Sequence, residues 1–244
     1  MTKSFVHLHA HTEYSMLDGA AKIVDYLKKV KELNQPAAAI TDHGNLYGAM
    51  EFVQKANDLG IKPIIGYEAY ITPGSRFDRP DRENNKRYHL TLLAENNIGY
   101  QNLVELVSKA YTEGYYYKPR IDYELLEQHH DGLIALSGCL GGELAQHLAP
   151  DGSVEEGNTS NERSFEKALE VAKKYQSIFG KNNYFIEIHN HGIKQQLDIL
   201  DDLVEIAEII EAPLVAANDS HYVEENGAEA HDALLCVQTN RTLD

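Results

Sequence analysis

Histidines and carboxylates recur along this chain in short groupings. His9-Ala-His11 is followed by Asp18, then by Asp42-His43-Gly44, Glu68, His89, Ser137-Gly-Cys139 and Asn218-Asp219-Ser-His221. Imidazole nitrogens and carboxylate oxygens with a single thiolate suit Zn²⁺, Mn²⁺ or Fe²⁺ much better than Mg²⁺ or Ca²⁺, which prefer all-oxygen shells. One zinc ion needs only three or four protein ligands. The nine residues His9, His11, Asp18, His43, Glu68, His89, Cys139, Asp219 and His221 therefore imply two or three metal ions, with a carboxylate such as Glu68 as a bridge. Such a cluster lowers the pKa of a bound water to about 7 and sets several positive charges against a phosphate, the basis of metal-assisted phosphoester hydrolysis. A lone His-X-His is usually a packing feature; the weight lies in the ordered succession of groupings.

Residues so far apart must be carried to one place. Seven apolar segments rich in β-branched and aromatic residues read as strands, at 5–9, 37–41, 63–71, 88–94, 133–137, 184–189 and 213–217. Helical spacing runs between them: Ile23, Leu27, Val30; Leu46, Ala49, Met50, Val53 before Gly60; Phe165, Ala168, Leu169, Ala172 before Gly180; and Leu197, Leu200, Leu203, Val204, Ala207, Ile210 before Pro213. Alternating strands and helices predict an α/β fold with a largely parallel sheet, closed or nearly closed into one barrel. The ligand groupings fall on successive strands, mostly at their carboxyl ends, which converge on one face in such a barrel.

The remaining composition narrows the function classes. At 244 residues the chain matches one (β/α) barrel, with 43% hydrophobic and 25% charged residues. Its 22 basic and 38 acidic residues leave a net charge of −16, which excludes a free-standing protein that grips nucleic acid or anionic membrane by a broad basic surface. Cys139 and Cys236 cannot make a disulfide framework. The N-terminus lacks the apolar core of a signal peptide and no apolar run approaches a membrane span, so a cytoplasmic location is expected. Segments 72–87 and 151–163 are polar and rich in turn formers, and read as exposed, mobile insertions; the first holds five basic against three acidic residues. The final helical stretch, 228–238, runs on without a closing element, so the chain is expected to be part of a longer one.

Phe5-Val-His-Leu-His-Ala-His-Thr-Glu-Tyr-Ser-Met-Leu-Asp-Gly19, Ile40-Thr-Asp-His-Gly-Asn-Leu-Tyr-Gly48, Gly66-Tyr-Glu-Ala-Tyr70, Tyr115-Tyr-Tyr-Lys-Pro-Arg-Ile-Asp122, Ser137-Gly-Cys-Leu-Gly-Gly142 and Ala217-Asn-Asp-Ser-His-Tyr222 closely resemble the polymerase and histidinol phosphatase (PHP) domain, in the form found at the N-terminus of bacterial DNA polymerase III alpha subunits. The resemblance covers essentially the whole chain, 1–244, as a single PHP domain. It implies a distorted seven-stranded (β/α), TIM-like barrel with a three-metal cluster of zinc or manganese, iron also being compatible. It also implies a metal-dependent 3′–5′ exonuclease that proofreads a DNA 3′ end beside the remaining polymerase domains and the replisome subunits. By the same resemblance His9, His11, Glu68 and Asp219 hold the first metal, Glu68, His89 and Cys139 the second, and Asp18, His43 and His221 the third. All nine ligand positions are filled. The polymerase's own carboxylates lie outside this chain, so nucleotide addition is not available to it. The rival readings are a non-catalytic domain stapled by its metals and a small-molecule phosphomonoesterase.

Other residues carry weaker claims. His7 shares the face of His9 and His11 one step deeper, which suits a supporting role. Asp42 could orient a neighbouring ligand. His189 and His191 end strand six at the cleft wall, and His191 matches the family pattern as a substrate contact. Arg120 could hold a phosphate bidentately or make a structural ion pair. The tyrosines at 115–117 could stack on bases, with packing or an interdomain contact as the plainer reading. His129, His130 and His147 read as surface, Cys236 as core, and His231 and Asp232 as facing the rest of a longer chain.

Overall fold

Apolar residues at helical spacing build the helices, and short polar residues close several of their ends. In the computed structural model, which describes residues 5–81, 84–150 and 162–243, α1 (Ile23–Glu32) buries Ile23, Tyr26, Leu27 and Val30. Helix α2 (Ala49–Leu59) buries Ala49, Phe52 and Ala56. Helix α3 (Asn97–Thr112) starts at Asn96, whose side chain accepts from the amides of Ile98 and Gly99, and α4 (Tyr123–Gln128) starts at Asp122, which accepts from Leu125. Short α5 (Glu143–Leu148) is followed by α6 (Phe165–Phe179), capped by Ser164. Among the described residues, helices α7 (Lys194–Asp198), α8 (Leu200–Ile210) and α9 (Ala228–Thr239) follow.

The chain forms two compact units, one of Met1–Tyr67 with Asn218–Asp244, the other Glu68–Ala217. In the first, β1 (Ala37–Ile40) pairs in parallel with the start of β2 (Lys62–Ile71), Ala37 opposite Lys62. Ala10, Ile23, Leu27, Val30, Ala38, Ile40, Phe52, Ala56 and Ile61 form its core. In the second, the end of β2 pairs with β4 (Arg120–Ile121), while β3 (Tyr88–Ala94) runs antiparallel to β5 (Leu133–Leu136). Strands β6 (Tyr184–Ile188) and β7 (Leu214–Ala216) continue in parallel from β5. The hydrogen-bonded order is β1-β2-β3-β5-β6-β7, with β4 on β2.

The fold is the expected α/β type with seven strands, and several particulars differ. The sheet is mixed, because β3 and β5 are antiparallel. Residues 5–9 form no strand: only isolated bonds tie this stretch down, with the Ala39 amide donating to the His7 carbonyl at 2.9 Å and a single bridge between Ala10 and Ser220. The seventh strand is instead the two-residue β4. On α2 the buried stripe runs through Phe52 rather than Met50, which is exposed. Helix α9 buries none of its residues, and Cys236 on it is half-buried rather than core. Among the described residues no helix is long and apolar enough to cross a membrane.

The described part of segment 72–87 is held firmly rather than loose. Arg120 is fully buried and donates to the carbonyls of Gly114, Arg76 and Asp78 at 3.1, 3.1 and 2.7 Å, and to Asn85 Oδ1 at 3.1 Å. Arg76 turns inward to Asp122 at 3.0 Å and Glu113 at 2.7 Å, and Arg87 is buried too. Two of the strip's basic residues, Arg76 and Arg87, are thus buried within the fold, while Arg79 stays exposed and Lys86 half-buried. Of segment 151–163, residues 151–161 lie outside the described residues.

Candidate metal-binding sites

In the first unit, the stretch from His9 to His11 is held on both sides. The His11 amide donates to Ser220 O at 2.8 Å, and the Thr41 amide donates to Ala10 O at 2.9 Å. Period-two alternation then turns both imidazoles the same way. His9 Nε2 and His11 Nε2 lie 3.3 and 3.1 Å from Asp219 Oδ1, and His221 Nδ1 lies 3.6 Å from the same oxygen. Asp219 adopts φ +46°, a left-handed conformation that Asp tolerates better than most residues. Its carbonyl accepts the Nδ1 proton of His221 at 2.9 Å, which leaves His221 Nε2 as the nitrogen facing Asp18 at 3.7 Å.

Asp18 is brought in by the tight loop from Thr12 to Gly19. The Gly19 amide donates to Ser15 O at 2.7 Å, and a Cβ at position 19 would lie 1.9 Å from the Thr12 carbonyl, so only glycine allows the loop to close. Asp18 Oδ2 meets His43 Nε2 at 2.8 Å. His11 stacks on His43 and His221 with ring centroids 4.1 and 4.3 Å apart, and these three rings offer ligand atoms within 4.8 Å of one another.

The electrostatics are divided. Burial would lower His221, but Asp18 and Asp219 outweigh it and raise that ring, which must shed a proton to ligate. His11 and the two aspartates are already suited to a cation. Burial, and then the rings of His43 and His221, push His11 down to about 3 against the pull of Asp219. Burial alone would raise Asp18, but the neighbouring imidazoles of His221, at 3.7 Å, and His43, at 2.8 Å, outweigh that and hold it far below the usual carboxylate range. Asp219 is likewise held well below that range, burial being overcome by His9, His11 and His221. A neutral imidazole beside ionised carboxylates is the protonation state that metals require of their ligands.

In the second unit, Glu68 on β2 and His89 on β3 are buried, and the loop after β5 carries Cys139. This loop folds back on β3, with the His89 amide donating to Gly141 O at 2.9 Å. The turn needs glycine at Gly138, which sits at φ +87°. His89 Nδ1 lies 3.1 Å from Glu68 Oε1, and Cys139 Sγ lies 3.8 Å from His89 Nδ1 and 3.9 Å from Glu68 Oε1. Tetrahedral ligands around zinc, at about 2.3 Å for sulfur and about 2.0 Å for nitrogen or oxygen, stand about 3.6 Å apart for an S···N pair and about 3.3 Å for an N···O pair. The observed separations match within a few tenths of an ångström.

Each of the three ligand groups expected from the sequence thus has members within contact of one another inside a unit: His9, His11 and Asp219; Asp18, His43 and His221; Glu68, His89 and Cys139. Arg120 is a correction: its guanidinium, committed to main-chain carbonyls and Asn85, is not presented to a phosphate and pairs with no carboxylate among the described residues. His191 is exposed, and its ring contacts Gln196 at 3.1 Å. His7 stacks edge-on against Phe5. Tyr115 stacks on Tyr111 and Tyr117 meets Tyr116 edge-on, both remaining more than half exposed, while the Tyr116 hydroxyl donates to Pro80 O. His129, His130 and His147 are half-buried.

Two residues given little or no part by the sequence adjoin these groups. Glu187, fully buried on β6, pairs with His189 at 3.0 Å and accepts from the Gly138 amide beside Cys139 at 3.1 Å. Its signal was a carboxylate between Ile186 and Ile188 in an apolar strand. His231 on α9 brings Nε2 to 3.9 Å from Asp18 Oδ1.

The PHP domain family model matches residues 7–191. The DNA polymerase III subunit alpha of Thermus aquaticus is 50% identical over 98% of this chain, and that of Treponema pallidum 47% identical over 98%. In both cases this chain spans 19% of the relative's length. Among solved structures, histidinol phosphate phosphatase from Lactococcus lactis, in complex with zinc, L-histidinol and phosphate, is 12% identical with a TM-score of 0.47, covering 97% of this chain and 94% of its own. The chain belongs to the PHP domain family.

Proposed function

We propose that this chain is a metal-dependent phosphoesterase domain, a single PHP domain of a longer cytoplasmic DNA polymerase III alpha subunit, and that it hydrolyses the terminal phosphodiester at a DNA 3′ end. The observation that carries the reading is that, inside each unit, ligand-type side chains stand at separations suited to transition-metal coordination. His9, His11 and Asp219 would hold one ion; Glu68, His89 and Cys139 a second; and Asp18, His43 and His221 a third. Zinc or manganese fits these donors, iron also. Such ions supply a Lewis acid for a phosphoryl oxygen and a nucleophile at neutral pH.

The chain's own residues then have distinct tasks. Asp18, Asp219 and Glu68 bring negative charge that holds the cations, and the buried imidazoles fix their positions. A net charge of −16 repels DNA at long range, and Arg76 and Arg87 of segment 72–87 are buried. Affinity for a polyanion must come from the metal positions and from neighbouring domains of the longer subunit, so the isolated chain should bind DNA weakly.

The test is release of nucleotides from a 3′-labelled single strand with Mn²⁺ or Zn²⁺, comparing wild type with Glu68→Gln, alone and within the full polymerase subunit. Metal-dependent release by wild type and little by the variant is expected. Equal release by both in both settings would favour a domain whose metals only staple the fold.

A further inference from the structure

We infer that Ser15 and Asp42 act as positioning residues, a buried relay that fixes which ring nitrogen of His11 carries a proton and hence which is left to bind a cation. The use of His11 as a ligand rests on the functional reading above; the tautomer does not.

Ser15 Oγ sits among three partners: Asp42 Oδ1 at 2.6 Å, His11 Nδ1 at 3.0 Å and the His43 amide nitrogen at 3.1 Å. A hydroxyl has one proton to give and two lone pairs to receive with. The His43 amide can only donate, so it occupies one lone pair. Asp42 acts as the acceptor of the group: its Oδ1 also receives the Thr12 amide at 2.6 Å, and its Oδ2 receives the Thr12 hydroxyl at 2.8 Å. A separation of 2.6 Å is typical of a hydroxyl donating to a carboxylate. The Ser15 proton therefore goes to Asp42, and only a lone pair remains for His11. His11 Nδ1 must then be the donor, which leaves Nε2 as the ligating nitrogen.

That nitrogen is the one 3.1 Å from Asp219 Oδ1. Thr12, Ser15 and Asp42 are all 1% exposed or less, so the relay is shielded from exchange with water, and a buried polar group of this kind persists only when its partners are satisfied. His221 reaches the same state by another device, with the main-chain carbonyl of Asp219 as acceptor. The sequence offers Asp42 as a residue that orients a neighbouring ligand; the geometry gives it His11, through Ser15.

The experiment is long-range ¹H–¹⁵N correlation NMR on the 244-residue chain labelled with ¹⁵N-histidine, His11 being identified by signals lost in His11→Gln. The expected spectrum has His11 Nδ1 protonated with or without Zn²⁺. In Ser15→Ala that preference should be lost and Zn²⁺ affinity should fall roughly 10- to 100-fold, while Ser15→Thr, which keeps the hydroxyl, should restore both. A neutral His11 protonated at Nε2 in wild type would overturn the relay, as would a folded Ser15→Ala with unchanged tautomer and affinity. If Ser15→Ala fails to fold, the wild-type spectrum and Ser15→Thr still decide. A chain that bound no zinc yet kept Nδ1 protonated would sink the metal reading and leave the relay standing.

Discussion

In the unit of residues 1–67 and 218–244, six ligand-type side chains already touch through imidazole–carboxylate contacts of 2.8 to 3.7 Å, braced from behind by Ser15 and Asp42. The three in Glu68–Ala217 meet around one thiol, with main-chain bonds of the Ser137–Gly142 loop as scaffold. The first set offsets much of its own charge, since its carboxylates lie beside several imidazoles. The second has one imidazole for a carboxylate and a thiol that ligates only as thiolate, so a cation matters more to its geometry. Pairing among ligands preserves a site without metal; a thiolate site depends on it.

The strongest way to break this contrast is through activity. Glu68→Gln and Asp219→Asn should each lower metal-dependent phosphodiester cleavage by about two orders of magnitude, near the upper end for lost metal-ligand function. Rates within threefold of wild type would remove these residues from the chemistry. Metal removal should have the next largest effect. Binding to the native state alone, at a thousandfold above Kd, contributes about 4 kcal/mol, so chelation should lower Tm by about 10 °C. An unchanged melting curve would mean that the sites are empty or decoupled from folding.

Arg120→Ala sharpens the contrast by lying outside both sets. It strips the donors from three carbonyls and Asn85 in a buried setting, and should cost about 3 kcal/mol of stability with metal content unchanged. Loss of metal in a folded Arg120→Ala would show that segment 72–87 serves the ligands after all. The smallest effect concerns Glu143, whose carboxyl is raised by burial although Tyr123 and Tyr175 donate to it at 2.5 and 2.8 Å. A raised carboxyl keeps its proton longer when folded than when unfolded, so this group's contribution to stability is full below the ordinary glutamate pKa and is lost as pH rises through the folded value. Denaturant titrations of Glu143→Gln should show a weaker decline over that window; an identical pH profile would refute the assignment.

Much of this was legible in the sequence because ligation needs particular atoms at particular strand positions. His9 and His11 share a face by simple alternation, and Asp219 and His221 do so around a left-handed turn. The strand and helix rhythm showed through the apolar spacing. What stayed hidden depended on partners far along the chain. The direction of β3 against β5 is decided by how α3 and α4 return the chain, which local periodicity does not encode. Two-residue β4 is too short to have a pattern. Arg120 looks like a phosphate ligand because a buried arginine clamping carbonyls has the same sequence signature as an exposed one. Ser15 is an ordinary loop serine until its three partners are seen together.

The most direct test of the central claim is metal counting by mass spectrometry on wild type, His43→Ala and Cys139→Ala, purified without chelator and then offered Zn²⁺ or Mn²⁺. Wild type should hold about three ions, following three or four protein ligands per ion, with one fewer in each variant and the remainder retained. A wild-type protein that holds at most one ion and takes up no more, or variants that lose nothing, would contradict it.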